Sequence, residues 1–201
     1  MKASITKRIG AYLIDVVLIF LVMSLISPII PTFGDTAKLQ DETLKVSEQF
    51  VNKEITDAEF IEKANDINYE LSKSTYLSDI INICAYLGYF IVMPVFTKGQ
   101  TLGKKLMKLK IKKIDDSPLT ANNLLIRTMI IYGVLNSIIN LIILLVASKG
   151  MYLQISGYVN TVFSLVIIVT FFMMIIRKDG RGIPDLLAKT VVVTDEGKEL
   201  Q

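Results

Sequence analysis

The sequence contains no histidine and no tryptophan, and only one cysteine. Without histidine the commonest metal ligand and near-neutral general base is missing. The single Cys84 excludes an intrachain disulfide framework, and within an apolar stretch it reads as a small buried or lipid-facing side chain. Tyrosine alone is left to supply the aromatic anchors of a membrane interface. No serine stands in a pattern that pairs it with a base, and no residues cluster as metal ligands. Segment 98–105, KGQTLGKK, lacks the spacing of a phosphate-binding P-loop. No enzyme and no cofactor are therefore expected. The net charge of +3 is too small to point to nucleic acid, and the basic stretches lack a stacking motif for it.

Charge is also nearly missing from four long stretches, and this absence is the most informative. They are residues 9–30, 77–96, 128–147 and 155–176. Twenty-two residues make about 33 Å of helix at ~1.5 Å each, enough to cross a hydrocarbon core of about 30 Å. Hydrocarbon offers no partner for a free backbone group, so each stretch must be helical. The first begins after the basic MKASITKR, as a secretion signal would. Its apolar run is too long for one, however, and ends in proline-rich sequence without a small-residue cleavage site. It is expected to be a retained span. The fold class that follows is an all-α membrane protein, a bundle of four transmembrane helices in a single domain over 1–201.

The loops orient the bundle. The N-terminal arm carries Lys2, Lys7 and Arg8 and no acid, and the 97–127 loop has eight basic residues against Asp115 and Asp116. The tail, 177–201, opens with Arg177, Lys178 and Arg181. Segment 34–76 instead carries ten acids against five lysines. Basic loops stay in the cytoplasm, so both termini are expected inside a cell membrane and the acidic loop outside it. The basic loop should meet anionic lipid headgroups.

Within the acidic loop, Leu44, Phe50, Ile55, Phe60, Ile61, Ile67 and Leu71 recur at roughly helical intervals. One or two amphipathic helices are expected, the later one continuing into the second span. In the basic loop, Leu102, Leu106 and Leu109 interleave with Lys104, Lys105 and Lys108 as a short interfacial helix would. Residues 109–114 then alternate apolar and basic, as a half-buried strand does, and Thr120 is a helix cap. The valines of 190–194 favour a second strand. Since a lone strand is unstable, the two should pair as a small cytoplasmic ribbon.

Asp15 is the most informative residue, because it lies well inside the first apolar stretch. A carboxylate there is costly unless it is paired, protonated or hydrated. Arg8, seven residues earlier, shares its helix face but is about 10.5 Å away along the axis. Arg127 and Arg181 are the expected partners. A buried ion pair that locks the helices is one reading; an ion or proton site is the other. Asn136, Ser137 and Asn140, with Asn160, Thr161 and Ser164, are the other polar groups in the spans. Asn136 and Asn140 share a face. Hydrogen bonds between helices are expected of this set, and a polar pathway past Asn136, Asn140 and Asn160 is the sharper alternative. Gly88, Gly133 and Gly157 are expected to let helices approach closely.

Three segments then occur in a telling order: KRIGAYLID at 7–15, KGQTLGKKLMKLKI at 98–111 and RGIPDLLAKTVVV at 181–193. Together they resemble the RDD family of integral membrane proteins, named for one arginine and two aspartates. The resemblance makes Arg8 and Asp15 the first two signature residues and Asp185 the second aspartate. Pro184 stands where a histidine is common in the family, so histidine-dependent chemistry is not expected. Transport is the role the resemblance suggests. A small-solute or ion transporter, cation or proton included, or a component of one, is thus the first expectation. Four spans leave little room for a full pathway, so an oligomer or a membrane-protein partner would complete it. The alternative is a non-transporting scaffold or accessory subunit whose Arg/Asp network is structural.

Overall fold

The computed structural model describes residues 3–195; Lys2 of the N-terminal arm and residues 196–201 of the expected tail lie outside it. Helix α1 (Ile5–Ile26) starts where Ser4 Oγ accepts the Lys7 amide at 3.3 Å. It ends in a 3-10 turn, Ser27–Ile29, because Pro28 has no N–H to continue the ladder. Helix α2 (Thr36–Val51) is capped by Asp35, whose carboxylate accepts the Lys38 amide at 3.0 Å.

Helix α3 (Asp57–Leu87) opens with a reciprocal cap. Thr56 N donates to Glu59 Oε2 at 2.8 Å, and Glu59 N to Thr56 Oγ1 at 3.3 Å. It runs through a π-helical turn, Gly88–Val92, into α4 (Met93–Phe96). That path is far longer than a bilayer needs. Its first part packs on α2 instead, with Phe50 and Phe60 stacked at 4.3 Å between centroids. The acidic segment is thus a helical hairpin whose second arm continues into a stretch long and apolar enough to cross a membrane. Lys149 pairs with Asp66 at 2.9 Å, and Tyr69 meets Tyr152 at 5.4 Å, so the hairpin leans on the start of the last long helix.

Beyond α4 come α5 (Leu102–Leu106), β1 (Leu109–Lys113), α6 (Ala121–Ile131), α7 (Val134–Val146), α8 (Lys149–Ile176), α9 (Ile183–Leu187) and β2 (Thr190–Thr194). The expected ribbon is present: β1 and β2 pair antiparallel, Leu109 opposite Thr194 and Lys113 opposite Thr190. Leu109, Ile111 and Val192 turn inward to a buried cluster with Ala3, Ala11 and Leu124, while Lys110 and Lys112 point out, as the alternation required. Thr120 precedes α6 as expected, its amide held by Asn123 Oδ1 at 3.1 Å.

Among the described residues three helical stretches are long and apolar enough to cross a membrane: Ile5–Ile29, Asp57–Phe96 and Lys149–Ile176. The expected span at 128–147 has another form. Helices α6 and α7 together have the length and apolarity, but meet at 69°. The hinge is Gly133, at φ +66°, where a side chain would be strained. Gly133, Gly88 and Gly157 do not serve close helix approach, since a Cβ on any of them would meet nothing within 4 Å.

The register predicts that cysteines replacing Lys112 and Val191, which face each other, form an intramolecular disulfide under mild oxidation in a Cys84→Ser background. Gel mobility before and after reduction reads it. Cross-linking that instead favours cysteines one position along would contradict the pairing.

Candidate functional site

The ribbon end of the bundle gathers the charged residues. Asp15, on the third turn of α1, is 0% exposed. Its carboxylate accepts three hydrogen bonds: from Tyr89 Oη at 2.7 Å, from the Gly103 amide at 2.7 Å and from Thr101 Oγ1 at 2.5 Å. Lys104 Nζ stands 3.6 Å from Oδ2. Tyr89 comes from the π turn; the other three come from the start of α5. So one carboxylate in α1 ties down both the π turn that follows α3 and the loop beyond α4.

Gly103 explains why the loop can come so close. A Cβ there would strike the Ala11 carbonyl oxygen and lie 2.8 Å from Asp15 Oδ1. Only a glycine lets the backbone amide reach the acid. Lys104 is buried beside it, and burial pulls its ammonium down to about 8, against the opposing attraction of Asp15. Lys104 also lies 5.9 Å from the Phe90 ring centre and reaches Tyr132 Oη at 3.4 Å.

A second cluster centres on Asp185, in α9. Its Oδ2 receives Arg8 at 3.1 Å and the Gly182 amide at 3.3 Å, and its Oδ1 pairs with Arg127. Arg127 also donates to Thr190 Oγ1 at 2.7 Å, and Arg8 to the Gly180 carbonyl. Burial would raise the Asp185 carboxyl, but Arg127 and Arg8 outweigh it and hold it below the usual range. One carboxylate therefore serves two guanidiniums, and among the described residues this largely buried triad carries one surplus positive charge.

Between the clusters lies a cavity of about 370 Å³ bounded by α1, α6, α8 and the tail. Arg8, Lys104, Arg127 and Asp185 form its polar end, and most of the remaining wall is apolar. Phe90 and Tyr132 border it too, stacked at 3.4 Å between centroids. They come from the π turn and from the α6–α7 break, so both irregular points of the helices sit at this cavity. Thr170, 7% exposed and on the cavity wall, has a buried hydroxyl oxygen with no partner among the described residues.

The placements correct several expectations. Asp15 meets neither Arg127 nor Arg181; its cation is Lys104. Arg181 pairs with Asp179 at 2.9 Å. Arg127 is a partner of Asp185, and Arg8 and Asp185 do meet. Asn136 and Asn140 both donate to Asn160 Oδ1, at 2.9 and 3.1 Å. They tie α7 to α8 as expected of interhelical polar groups, and none of the three lines the cavity. Tyr89, Thr101, Gly103, Lys104 and Thr170 had no place in the sequence reading of the site. The signal for three of them was present: TLGK at 101–104 belongs to the motif that carried the family resemblance.

Comparison with known proteins gives one positive result: the family model described as RDD family matches residues 2–189. No curated protein and no solved structure matches the chain.

Replacing Asp15 by Asn would set an amide N–H₂ against the donors that now converge on the carboxylate, and would leave Lys104 unpaired. Breaking one side of a buried pair costs about 3–5 kcal/mol. The Asp15→Asn protein in detergent should unfold at markedly lower temperature than wild type, and Asp15→Asn with Lys104→Met should recover part of the loss. Equal melting of wild type and Asp15→Asn would remove the tie from the account.

Proposed function

The chain belongs to the RDD family of membrane proteins, and from that premise we propose that it moves a small solute, as a transporter or as a component of one, through the cavity at the ribbon end. The observation that carries the reading is the cavity itself. Its volume of about 370 Å³ falls within the ~300–1,000 Å³ of small-molecule sites. It combines an apolar wall with a few converging polar groups, the composition such sites use. Two helix irregularities border it, and broken or π-bulged helices mark binding sites in many transporters. In this reading the ribbon end faces the cytoplasm of a cell membrane, both termini are inside, and the lysines of the loop meet anionic headgroups. A second copy or a partner completes the pathway.

Asp15 is assigned a holding role and not ion or proton carriage. Its carboxylate is enclosed, its neighbours satisfy it, and Lys104 already supplies a counter-charge. That enclosure also favours the second reading, an accessory subunit whose Arg/Asp network is structural.

One experiment separates them. Ile167 borders the cavity from an outward-facing position, 40% exposed, so Ile167→Trp narrows the cavity without disturbing the ion pairs. With proteoliposomes challenged by a panel of small organic anions and monovalent cations, wild type should carry at least one solute, and Ile167→Trp should slow it roughly tenfold with melting unchanged. Wild type carrying none of them, with a second membrane protein co-purifying, would support the accessory subunit.

A further inference from the structure

We infer that the occupant of this cavity is an anionic amphiphile drawn from the bilayer, its acidic head at the Arg8–Asp185–Arg127 triad and its hydrocarbon chain along the α1–α8 gap. The inference rests on the cavity being a ligand site, as proposed above, and adds the ligand's chemistry and its route of entry.

Two guanidiniums, Arg127 buried and Arg8 part-buried, share one carboxylate, and among the described residues Lys104 is balanced by Asp15 alone. Among the described residues the polar end therefore holds one more positive than negative charge, largely removed from water, an arrangement that costs free energy until an anion joins it. Arginine pairs are suited to a carboxylate or a phosphate, which they grip with forked N–H donors. Thr170 provides a further polar contact. Its hydroxyl oxygen is buried on the cavity wall and has no partner among the described residues, and buried polar groups in native proteins nearly always have a partner.

Away from the triad the cavity is lined by Ile9 and Leu13 of α1 and by Ile167 and Phe171 of α8. All four are outward-facing on helices that can cross a membrane; Leu13 is 54% exposed and Phe171 41%. The two helices do not pack closely on each other here. The opening therefore lies on the surface that hydrocarbon covers, and not only at the ribbon end. A polar solute would meet an apolar wall along most of the cavity, whereas an acyl chain would bury apolar surface there.

The chain's lack of tryptophan gives a clean probe. Phe171→Trp places a single fluorophore on the cavity wall, and Val146→Trp, 78% exposed at the other end of the bundle, serves as the control. Each is reconstituted in phosphatidylcholine vesicles containing either phosphatidylglycerol or phosphatidylcholine brominated on the chain. Quenching of the Trp at 171 should favour the anionic lipid roughly tenfold in apparent affinity, and the control Trp should show no preference. Arg8→Gln leaves Asp185 paired with Arg127 alone, cancels the surplus charge and should abolish the preference. Should Arg8→Gln fail to fold, Thr170→Val keeps the triad, removes the hydroxyl and should weaken the preference. Equal quenching by the two lipids at position 171 overturns the inference. So does relief of quenching by water-borne octanoate without any lipid preference, which would place the occupant's source in solution. Because binding is read and not flux, lipid selectivity without transport would refute only the transport reading, and transport of a small solute without lipid selectivity would refute only this one.

Discussion

A carboxylate removed from water has to be matched, and that constraint organises one whole end of this protein. Asp15 lies in a helix apolar enough to cross a membrane and is fully enclosed. Its compensation comes from two separate places: Tyr89 in the π turn, and Thr101, Gly103 and Lys104 in the loop beyond α4. Satisfying one acid thus fixes the loop against α1, and the loop delivers β1. Asp185 does the same for the tail. It draws Arg8 of α1 and Arg127 of α6 to α9, and α9 delivers β2. The ribbon then closes over the two clusters, with Leu109, Ile111 and Val192 packed on Ala11 and Leu124. Chain segments far apart in sequence are joined at two buried acids, each bound to cations from elsewhere.

The two acids differ in their balance. Asp15 has one cation and a set of neutral donors. Asp185 has two guanidiniums and hence a surplus charge next to a cavity. Such networks stabilise less than their hydrogen bonds suggest, because every charge in them has lost its water. What they supply is position, and here they hold apart the walls of a space that tighter packing would have filled. The first acid therefore reads as a fastening and the second as the edge of a site.

Much of this was legible in the sequence, for identifiable reasons. Long uncharged stretches leave few alternatives in hydrocarbon, so the apolar helices at 5–29 and 149–176 were plain. The ribbon followed from LKIKK and TVVVT, since alternation and β-branching are local properties. The helices of the acidic loop followed from the spacing of apolar residues among charges, but the hairpin in which Phe50 meets Phe60 did not. The break at Gly133 did not, because VLNSIINLIILLV is as apolar as any straight span, and a lone glycine inside a helix carries no sign of the bend it permits. Asp15 was conspicuous, but its partner was not. Charge type singled out the arginines, whereas the geometry selected Lys104, which follows a glycine small enough to bring the loop against Ala11. Thr170 gave no signal at all, because its unmet hydroxyl is visible only once α8 is set beside the tail.

The hold that Asp15 has on the loop carries the whole ribbon end, and the Gly103 amide reports it directly. Hydrogen–deuterium exchange of the protein in lipid nanodiscs should find that amide strongly protected in wild type. In Asp15→Asn its exchange should accelerate by orders of magnitude, while amides in the middle of α8 stay as they were. A Gly103 amide that exchanges freely in wild type, or at the same rate in both proteins, would contradict the account.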